Sequence, residues 1–275
     1  MASVAPKAAR EEKASNTVLH PTNSTATSEN LTAVILTVPQ YYGHPSRRRR
    51  NLPRHWSVYW HRLNEVYPME KPRAEWLIVG LGNPGPEYAE TRHNIGWRVV
   101  CALAERYGGH WHRGKGPWME ALLSIAGHPV LTLLPLTYMN RSGEAVRGAQ
   151  QLTAIPTDHI VIVLDELNFP LGRIHLKASG SAGGHNGMAS VIECLGTGDI
   201  PRLRCGIGRN FPRGQMTEYV LSPFAPEEIA ERDAMVRRAV SALEYLVQYG
   251  LQKAMSTINA GTVPMEGTQE PFQRA

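Results

Sequence analysis

Two residues of the sequence, His93 and Asp165, are of the types that together activate a water molecule. His93 lies in a polar segment, residues 88–96, soon after an apolar run, and Asp165 directly follows the run HIVIVL at 159–164. Histidine is the commonest general base, and a neighbouring carboxylate can hold its tautomer. The plain alternatives are that His93 is a hydrogen-bonded structural residue and that Asp165 initiates a turn.

Two asparagines stand in segments that could surround such a pair. Asn140 lies in the segment 136–143, and Asn186 lies near the end of a glycine-rich segment, residues 180–187, that leads into a predicted helix. An amide both donates and accepts hydrogen bonds, and a glycine-rich loop before a helix exposes backbone N–H groups to an anion or a carbonyl oxygen. Asn140 could equally belong to a capped turn.

The segment Gly80–Gly85 contains Asn83 and also satisfies the G-x-G-x-x-G pattern of dinucleotide sites. Pro84 stiffens this loop, a polar segment follows it, and no second strand ends in an acidic residue about 20 positions on. The sequence therefore favours a tight turn, and a dinucleotide-binding oxidoreductase remains an alternative.

Basic residues are unevenly placed. The chain carries a net charge of +5, and residues 1–75 account for it with 11 Lys or Arg against 6 Asp or Glu. Within the otherwise neutral remainder, one stretch is markedly basic: Arg173, Lys177, Arg202, Arg204, Arg209 and Arg213. This stretch predicts a phosphate-contact surface, with a solvated charged face as the alternative.

The elements that must position these residues alternate along the chain. Strands are predicted at 76–80, 129–134, 159–164, 173–177 and 202–207, and helices at 97–107, 142–152, 187–195 and 226–258, with a break near 249–250. This alternation predicts the α/β class, a single domain with a twisted mixed, largely parallel sheet flanked by helices. No apolar run approaches the roughly 18 residues of a membrane span, and three cysteines without a C-x-x-C pair argue against a disulfide or zinc scaffold.

Three parts of the chain are expected: an N-terminal extension at 1–75, the domain at 76–260 and a tail at 261–275. The extension contains four consecutive arginines, Arg47–Arg50. It fits a mitochondrial transit peptide only in part, because Glu11, Glu12 and Glu29 interrupt it. A nuclear signal, a nucleic-acid contact and a solvated tail are the alternatives.

Taken together and in order, the motifs resemble those of the bacterial-type peptidyl-tRNA hydrolase family over about residues 76–255. The resemblance rests on GLGNPG at 80–85, Tyr88, TRHN at 91–94, YMN at 138–140, DEL at 165–167, GGHNG at 183–187 and RLRCGIG at 202–208. Any one of these motifs is weak, but together and in register they are specific.

The resemblance implies an ester hydrolase that frees tRNA from peptidyl-tRNA without a metal or a cofactor. By resemblance, His93 activates the water and Asp165 holds the imidazole, while Asn83 and Asn140 position the peptide and the ester, and Asn186 places the water. Substrate-binding residues implied in the same way are Tyr88, Met139, Gly184 and His185 in the crevice, and Lys177 and Arg204 as a clamp for the 5′-phosphate of tRNA.

The resemblance further implies a monomer. The extension, which typical bacterial members lack, indicates a mitochondrial location, with the cytoplasm as the alternative, and a possible ribosome or RNA contact. The short apolar runs predict no membrane partner. The sequence departs from the family at Leu164, where a histidine is frequent, and at Asn168, where an aspartate is usual. Ser181 and Ala182 also replace part of a glycine run. A catalytically inactive relative that binds RNA or the ribosome is the alternative function.

Overall fold

The computed structural model describes residues 74–264, which form one seven-stranded sheet between two layers of helices. The strands are β1 (Trp76–Gly80), β2 (His112–Arg113), β3 (Trp118–Ile125), β4 (His128–Pro135), β5 (Ile160–Glu166), β6 (Ile174–Lys177) and β7 (Arg202–Gly206). The helices are α1 (Ile95–Arg106), α2 (Ser142–Thr153), α3 (Asn186–Leu195), α4 (Met216–Val220), α5 (Ile229–Tyr249) and α6 (Leu251–Asn259).

The sheet is parallel at its centre and antiparallel at both edges. Its order is β2-β3-β4-β1-β5-β7-β6. The pairs β4–β1, β1–β5 and β5–β7 are parallel, whereas β2–β3, β3–β4 and β6–β7 are antiparallel. The predicted α/β class with a mixed sheet is thereby confirmed.

The central strands are apolar because helices cover both of their faces. Alternate residues of β1 enter different cores: Ile78 packs with α1, α5 and α6, whereas Leu77 and Val79 pack with α2 and α3. All five residues of β1 are buried. Burial of this kind stabilises by roughly 25 cal/mol per Å² of apolar surface, so the centre of the sheet is a rigid base for the loops at its edge.

Glycines allow the start of α1 to lie directly against the sheet. A Cβ atom on Gly96 would overlap the backbone carbonyl of Val163 in β5, and one on Gly80 would meet the carbonyl of Gly96. The loop after β1 enters a 3-10 turn at Pro86–Tyr88 and not a helix. It therefore lacks the strand-to-helix geometry with which dinucleotide sites bind a pyrophosphate.

The sequence prediction missed three elements: the two-residue strand β2, the strand β3 and the helix α4. The strand β3 pairs with β4 in a hairpin, whose two-residue turn has positive φ at Ala126 and Gly127 (51° and 86°). This is the φ pattern of a type I′ turn, for which Asn-Gly is the usual signal, so the Ala-Gly sequence gave little indication. The helix α4 has only five residues. The predicted break in the last helix is confirmed at Gly250, where φ is +80°.

The predicted extension and tail lie almost wholly outside the described residues, so the division of the chain at 75 and 260 stays a prediction. No helix among residues 74–264 combines the length and the apolar character that crossing a bilayer requires.

Candidate functional site

The residues predicted to do chemistry meet at a cleft beside the carboxyl end of β5. The cleft has a volume of about 670 Å³ and lies between the end of β5, the loop before α3 and the helix α4. The polar side chains that line it include Asn83, His93, Asn140, Asp165, Lys177, His185, Asn186 and Arg204. This is the edge at which open α/β sheets bind their ligands.

His93 and Asp165 form a hydrogen-bonded pair at the base of the cleft. The Nδ1 atom of His93 lies 2.7 Å from the Oδ1 atom of Asp165. The Asp165 side chain is only 3% exposed and that of His93 is 12% exposed. Because Asp165 occupies Nδ1, the Nε2 nitrogen of His93 is the one that can accept a proton from a molecule in the cleft.

The two groups shift each other's protonation in opposite directions. Burial alone would raise the pKa of Asp165, but the neighbouring His93 and His185 hold it well below its usual range. Burial alone would lower the pKa of His93, but the charge of Asp165 and the hydrogen bond to it raise the pKa above its usual value. At neutral pH, Asp165 is therefore a fixed negative charge that stabilises the protonated form of His93.

His185 is a second imidazole on the same carboxylate oxygen. Its Nε2 atom lies 2.9 Å from Oδ1 of Asp165, and its Nδ1 atom accepts the backbone N–H of Met188 at 3.1 Å. These two contacts assign the proton to Nε2 and make His185 the N-cap of α3. The rings of His93 and His185 lie 4.9 Å apart.

Asn83 is fixed by contacts on both its backbone and its side chain. Its backbone N–H donates to Oδ1 of Asn94 at 2.9 Å, and its backbone carbonyl accepts from Nδ2 of Asn94 at 2.9 Å. Its own Oδ1 accepts the backbone N–H of Met139 at 2.7 Å. The Nδ2 group of Asn83 therefore remains as the donor that the cleft can use.

The remaining predicted crevice residues differ in exposure. Asn140 and Asn186 are exposed and line the cleft, and Met139 lines it from a buried position. Tyr88 is not among the lining residues; its ring instead contacts the ring of Tyr138, which does line the cleft, edge to face at 6.5 Å.

The predicted basic stretch divides into surface and buried residues. Lys177 lines the cleft and is exposed, and Arg204 bonds Glu166 through Nε at 2.8 Å while its guanidinium lies 4.6 Å from the Phe169 ring. Arg202 was predicted to face phosphates, but it is 2% exposed. It donates instead to the carbonyls of Gly180, Ser181, Gly198 and Ile200. Arg202 therefore holds the glycine-rich loop in place, and the prediction for it is wrong.

Three ligand-type atoms from His93, Asp165 and His185 lie within 4.8 Å of one another, which raises the question of a metal. Both imidazole nitrogens are at hydrogen-bond distance from the same carboxylate oxygen. The second nitrogen of His185 is occupied by a backbone N–H. The atoms that could bind a cation are therefore already engaged in hydrogen bonds, and this arrangement suits proton transfer better than cation binding.

Sequence reasoning assigned no role to two residues that the structure shows to be important. Asn94, 1% exposed, pairs with the backbone of Asn83, and Glu166 holds both Arg204 and Asn168. Asn94 was quoted as part of a motif, but only the fold brings its amide to a segment 11 residues away. The Asp-Glu pair at 165–166 was the one available signal for Glu166.

Comparisons with known proteins agree over the region that contains the cleft. The family model described as Peptidyl-tRNA hydrolase matches residues 77–266. A peptidyl-tRNA hydrolase of Synechococcus sp. (strain JA-3-3Ab) is 49% identical over 188 residues, which is 66% of this chain and 82% of that protein. One of Chlorobium phaeobacteroides (strain BS1) is 43% identical over 183 residues, 66% of this chain and 97% of that protein. The crystal structure of peptidyl-tRNA hydrolase from Acinetobacter baumannii has a TM-score of 0.65 and 39% identity, covering 69% of this chain and 96% of that one.

Proposed function

The chain belongs to the peptidyl-tRNA hydrolase family, and we propose that His93 is the base with which it hydrolyses the ester between a peptide and the 3′-terminal ribose of tRNA. The observation that carries this assignment is the buried bond between Nδ1 of His93 and Oδ1 of Asp165 at 2.7 Å. Because this bond occupies Nδ1, the Nε2 nitrogen of His93 is left to exchange a proton in a cleft that amide and basic side chains line.

The reaction has two steps. Nε2 of His93 takes a proton from a water molecule as the water oxygen attacks the ester carbonyl, and Asp165 stabilises the imidazolium that forms. The tetrahedral intermediate then expels the ribose 3′-oxygen, which takes that proton from His93. The products are a peptide with a free carboxylate and a tRNA with a free 3′-hydroxyl.

Amide groups around the ester stabilise the charge that develops on the carbonyl oxygen. The amide of Asn83 is oriented by Met139, so its Nδ2 group is a preorganised donor. Asn140 and Asn186 lie exposed on the cleft, where their amides can bind the peptide backbone and the attacking water. These three roles are part of the proposal.

The basic edge of the cleft suits the phosphate of tRNA. Lys177 and Arg204 lie on neighbouring strands, β6 and β7, in which Lys177 faces Arg202 and His175 faces Arg204 across the ladder. We propose that these two cations bind the 5′-phosphate, and that affinity comes from such contacts while sequence is not read. Arg204 would then share its guanidinium between Glu166 and the phosphate.

The experiment that tests the activity is release of N-acetyl-amino acid from N-acetyl-aminoacyl-tRNA by the full chain. Steady release with multiple turnovers supports the proposal. Salt-dependent tRNA binding without release would instead favour the inactive RNA-binding relative. A thermal shift with NAD in place of tRNA binding would favour the dinucleotide alternative.

Compartment, assembly and the role of residues 1–75 are further proposals. The relatives above align with 66% of this chain while covering 82% and 97% of their own length. The family model matches residues 77–266, so the basic segment before residue 77 lies outside its match. We propose a monomer whose residues 1–75 direct it to mitochondria. Fusion of residues 1–75 to a fluorescent protein tests the mitochondrial location, and cytoplasmic or ribosome-associated fluorescence would be the contrary result. Light scattering of the full chain tests whether the protein is a monomer.

A further inference from the structure

Arg92, the residue before the proposed base, points away from the cleft into a buried pocket of its own. Its side chain is 7% exposed. Glu228 binds the guanidinium with both oxygens, at 3.1 Å to Nη1 and 2.6 Å to Nη2. The guanidinium carbon lies 4.4 Å from the Tyr219 ring and 4.8 Å from the Phe224 ring. A planar, bidentate and stacked cation of this kind is placed far more precisely than a surface ion pair.

This pocket joins the turn Arg92–Asn94, which carries His93 (the catalytic turn), to the segment around α4 that forms one wall of the cleft. The backbone N–H of Arg92 donates to the carbonyl of Ser222 at 2.9 Å, and Thr91 forms an isolated antiparallel bridge with Pro223. The hydroxyl of Tyr219 donates to the carbonyl of Ile207 just after β7 at 2.7 Å. Because α4 and the residue after it line the cleft with Met216, Thr217, Val220 and Leu221, the wall of the cleft and the base are held by one cluster.

The far side of the pocket is fixed by α5. Glu228 accepts the backbone N–H of Ala225 at 2.7 Å at the start of that helix. Two residues before Arg92, Glu90 bonds Arg98 at 2.6 Å and lies 3.6 Å from Arg232. The catalytic turn is thus tied to the helices behind it at two points, and the Arg92 point is the one that also reaches α4.

We propose that Arg92 is a positioning residue, which through Glu228, Tyr219 and Phe224 sets both the distance of His93 from Asp165 and the position of the α4 wall. The turn Arg92–Asn94 is a single 3-10 turn without a side-chain cap. It therefore depends on the anchored Arg92 side chain on one side and on the Asn94 contact with Asn83 on the other. Loss of the Arg92 anchor lets His93 move while every group in the cleft remains.

The inference rests on the proposed role of His93, and its test separates the two. Arg92→Gln removes the charge and the bidentate contact, and we expect kcat to fall about 10- to 100-fold with a several-fold rise in KM. The groups that face His93 are Asp165 and His185. A looser contact with Asp165 lowers the pKa of His93, so the acid limb of the kcat–pH profile shifts to lower pH.

Arg106→Gln is the matched control, because Arg106 also pairs with a residue of α5, Glu244, at 2.9 Å and is partly buried. We expect it to lower the melting temperature without changing kcat or the acid limb. Arg92→Lys keeps the charge but loses the two-point contact of the guanidinium with Glu228, so it should recover only part of the activity. If Arg92→Gln lowers stability like the control and keeps wild-type kcat and acid limb, Arg92 is merely structural and the inference is overturned.

A second variant, Glu228→Gln, and an NMR titration of His93 complete the test. Should Arg92→Gln not fold, Glu228→Gln removes only the carboxylate charge, and a wild-type kcat and acid limb in that variant overturn the inference. An NMR titration of the His93 ring in wild type and variant reports the same displacement without turnover. If the wild type proves inactive but the pKa of His93 still differs between wild type and variant, the proposed function is rejected and the positioning role is retained. If the pKa of His93 is the same in both, the positioning role is rejected.

Discussion

Replacement of Asp165 by Asn is the most informative single change, because it removes a charge while keeping the shape of the side chain. In the structure, one oxygen of Asp165 accepts from both His93 and His185, at 2.7 Å and 2.9 Å. The Oδ1 atom of an asparagine can still accept both hydrogen bonds. The variant therefore tests the charge of the carboxylate and leaves the geometry nearly unchanged.

The expected loss can be worked from the geometry. The imidazolium charge of His93 is spread over its ring, so its effective separation from the carboxylate is about 4 Å, and at an effective dielectric constant of about 20 the attraction is about 4 kcal/mol. Loss of that term from a transition state in which His93 carries the proton lowers kcat by roughly 10³-fold.

The pH dependence of kcat gives an independent test of the effect of the Asp165 charge on His93. In the wild type, Asp165 raises the pKa of His93 above its usual value, so activity declines as the pH falls through that raised pKa. In Asp165→Asn the raising charge is gone, and the acid limb of kcat moves to lower pH. Steady-state hydrolysis of N-acetyl-aminoacyl-tRNA across the pH range is the assay, with Asp199→Asn, an exposed acid, as the control. A kcat within about tenfold of wild type together with an unmoved acid limb would refute the reasoning.

Other changes separate binding, positioning and stability. Lys177→Ala and Arg204→Ala should each weaken tRNA binding and reduce the slope of log K against log salt by about 1, measured by filter binding; unchanged affinity and slope in both would reject the clamp. Asn94→Ala leaves the backbone N–H and carbonyl of Asn83 without their hydrogen-bond partners, so it should cost about 1–3 kcal/mol of unfolding free energy and lower kcat more than it alters KM. Denaturation and steady-state kinetics check both effects, and an unaltered kcat is the contrary result. Leu133→Ala, at a fully buried position of β4, should cost about 2–5 kcal/mol by chemical denaturation with wild-type kcat per folded molecule, and a cost below about 1 kcal/mol would contradict the packing.

The residues at the ends of strands were predictable from the sequence, because strands and their polar termini leave a local pattern. Asp165 follows an uninterrupted apolar run, and His93 stands in a polar segment near another strand, so their meeting at one sheet edge follows from the α/β order. The sheet's parallel centre follows from the same alternation of strands and helices.

Contacts that depend on the backbone of distant segments were not predictable in this way. Arg202 stands in a basic stretch, and only the fold shows that four carbonyls surround its guanidinium. Tyr88 shares a motif with His93, yet it does not line the cleft and its ring packs against that of Tyr138. The role of Arg92 likewise requires residues more than 100 positions later in the chain, which no local pattern indicates.

The most direct test of the central claim is single-turnover hydrolysis of N-acetyl-aminoacyl-tRNA by an excess of the full chain and of its His93→Ala variant, with tRNA affinity measured in parallel. A general base contributes about 10²–10⁴-fold. We therefore predict a fall of that size in the hydrolysis rate constant, with the affinity for tRNA retained within about threefold, because in the proposed site the phosphate contacts lie on β6 and β7 and do not include His93. A variant that hydrolyses the ester within about tenfold of the wild-type rate would show that His93 is not the base.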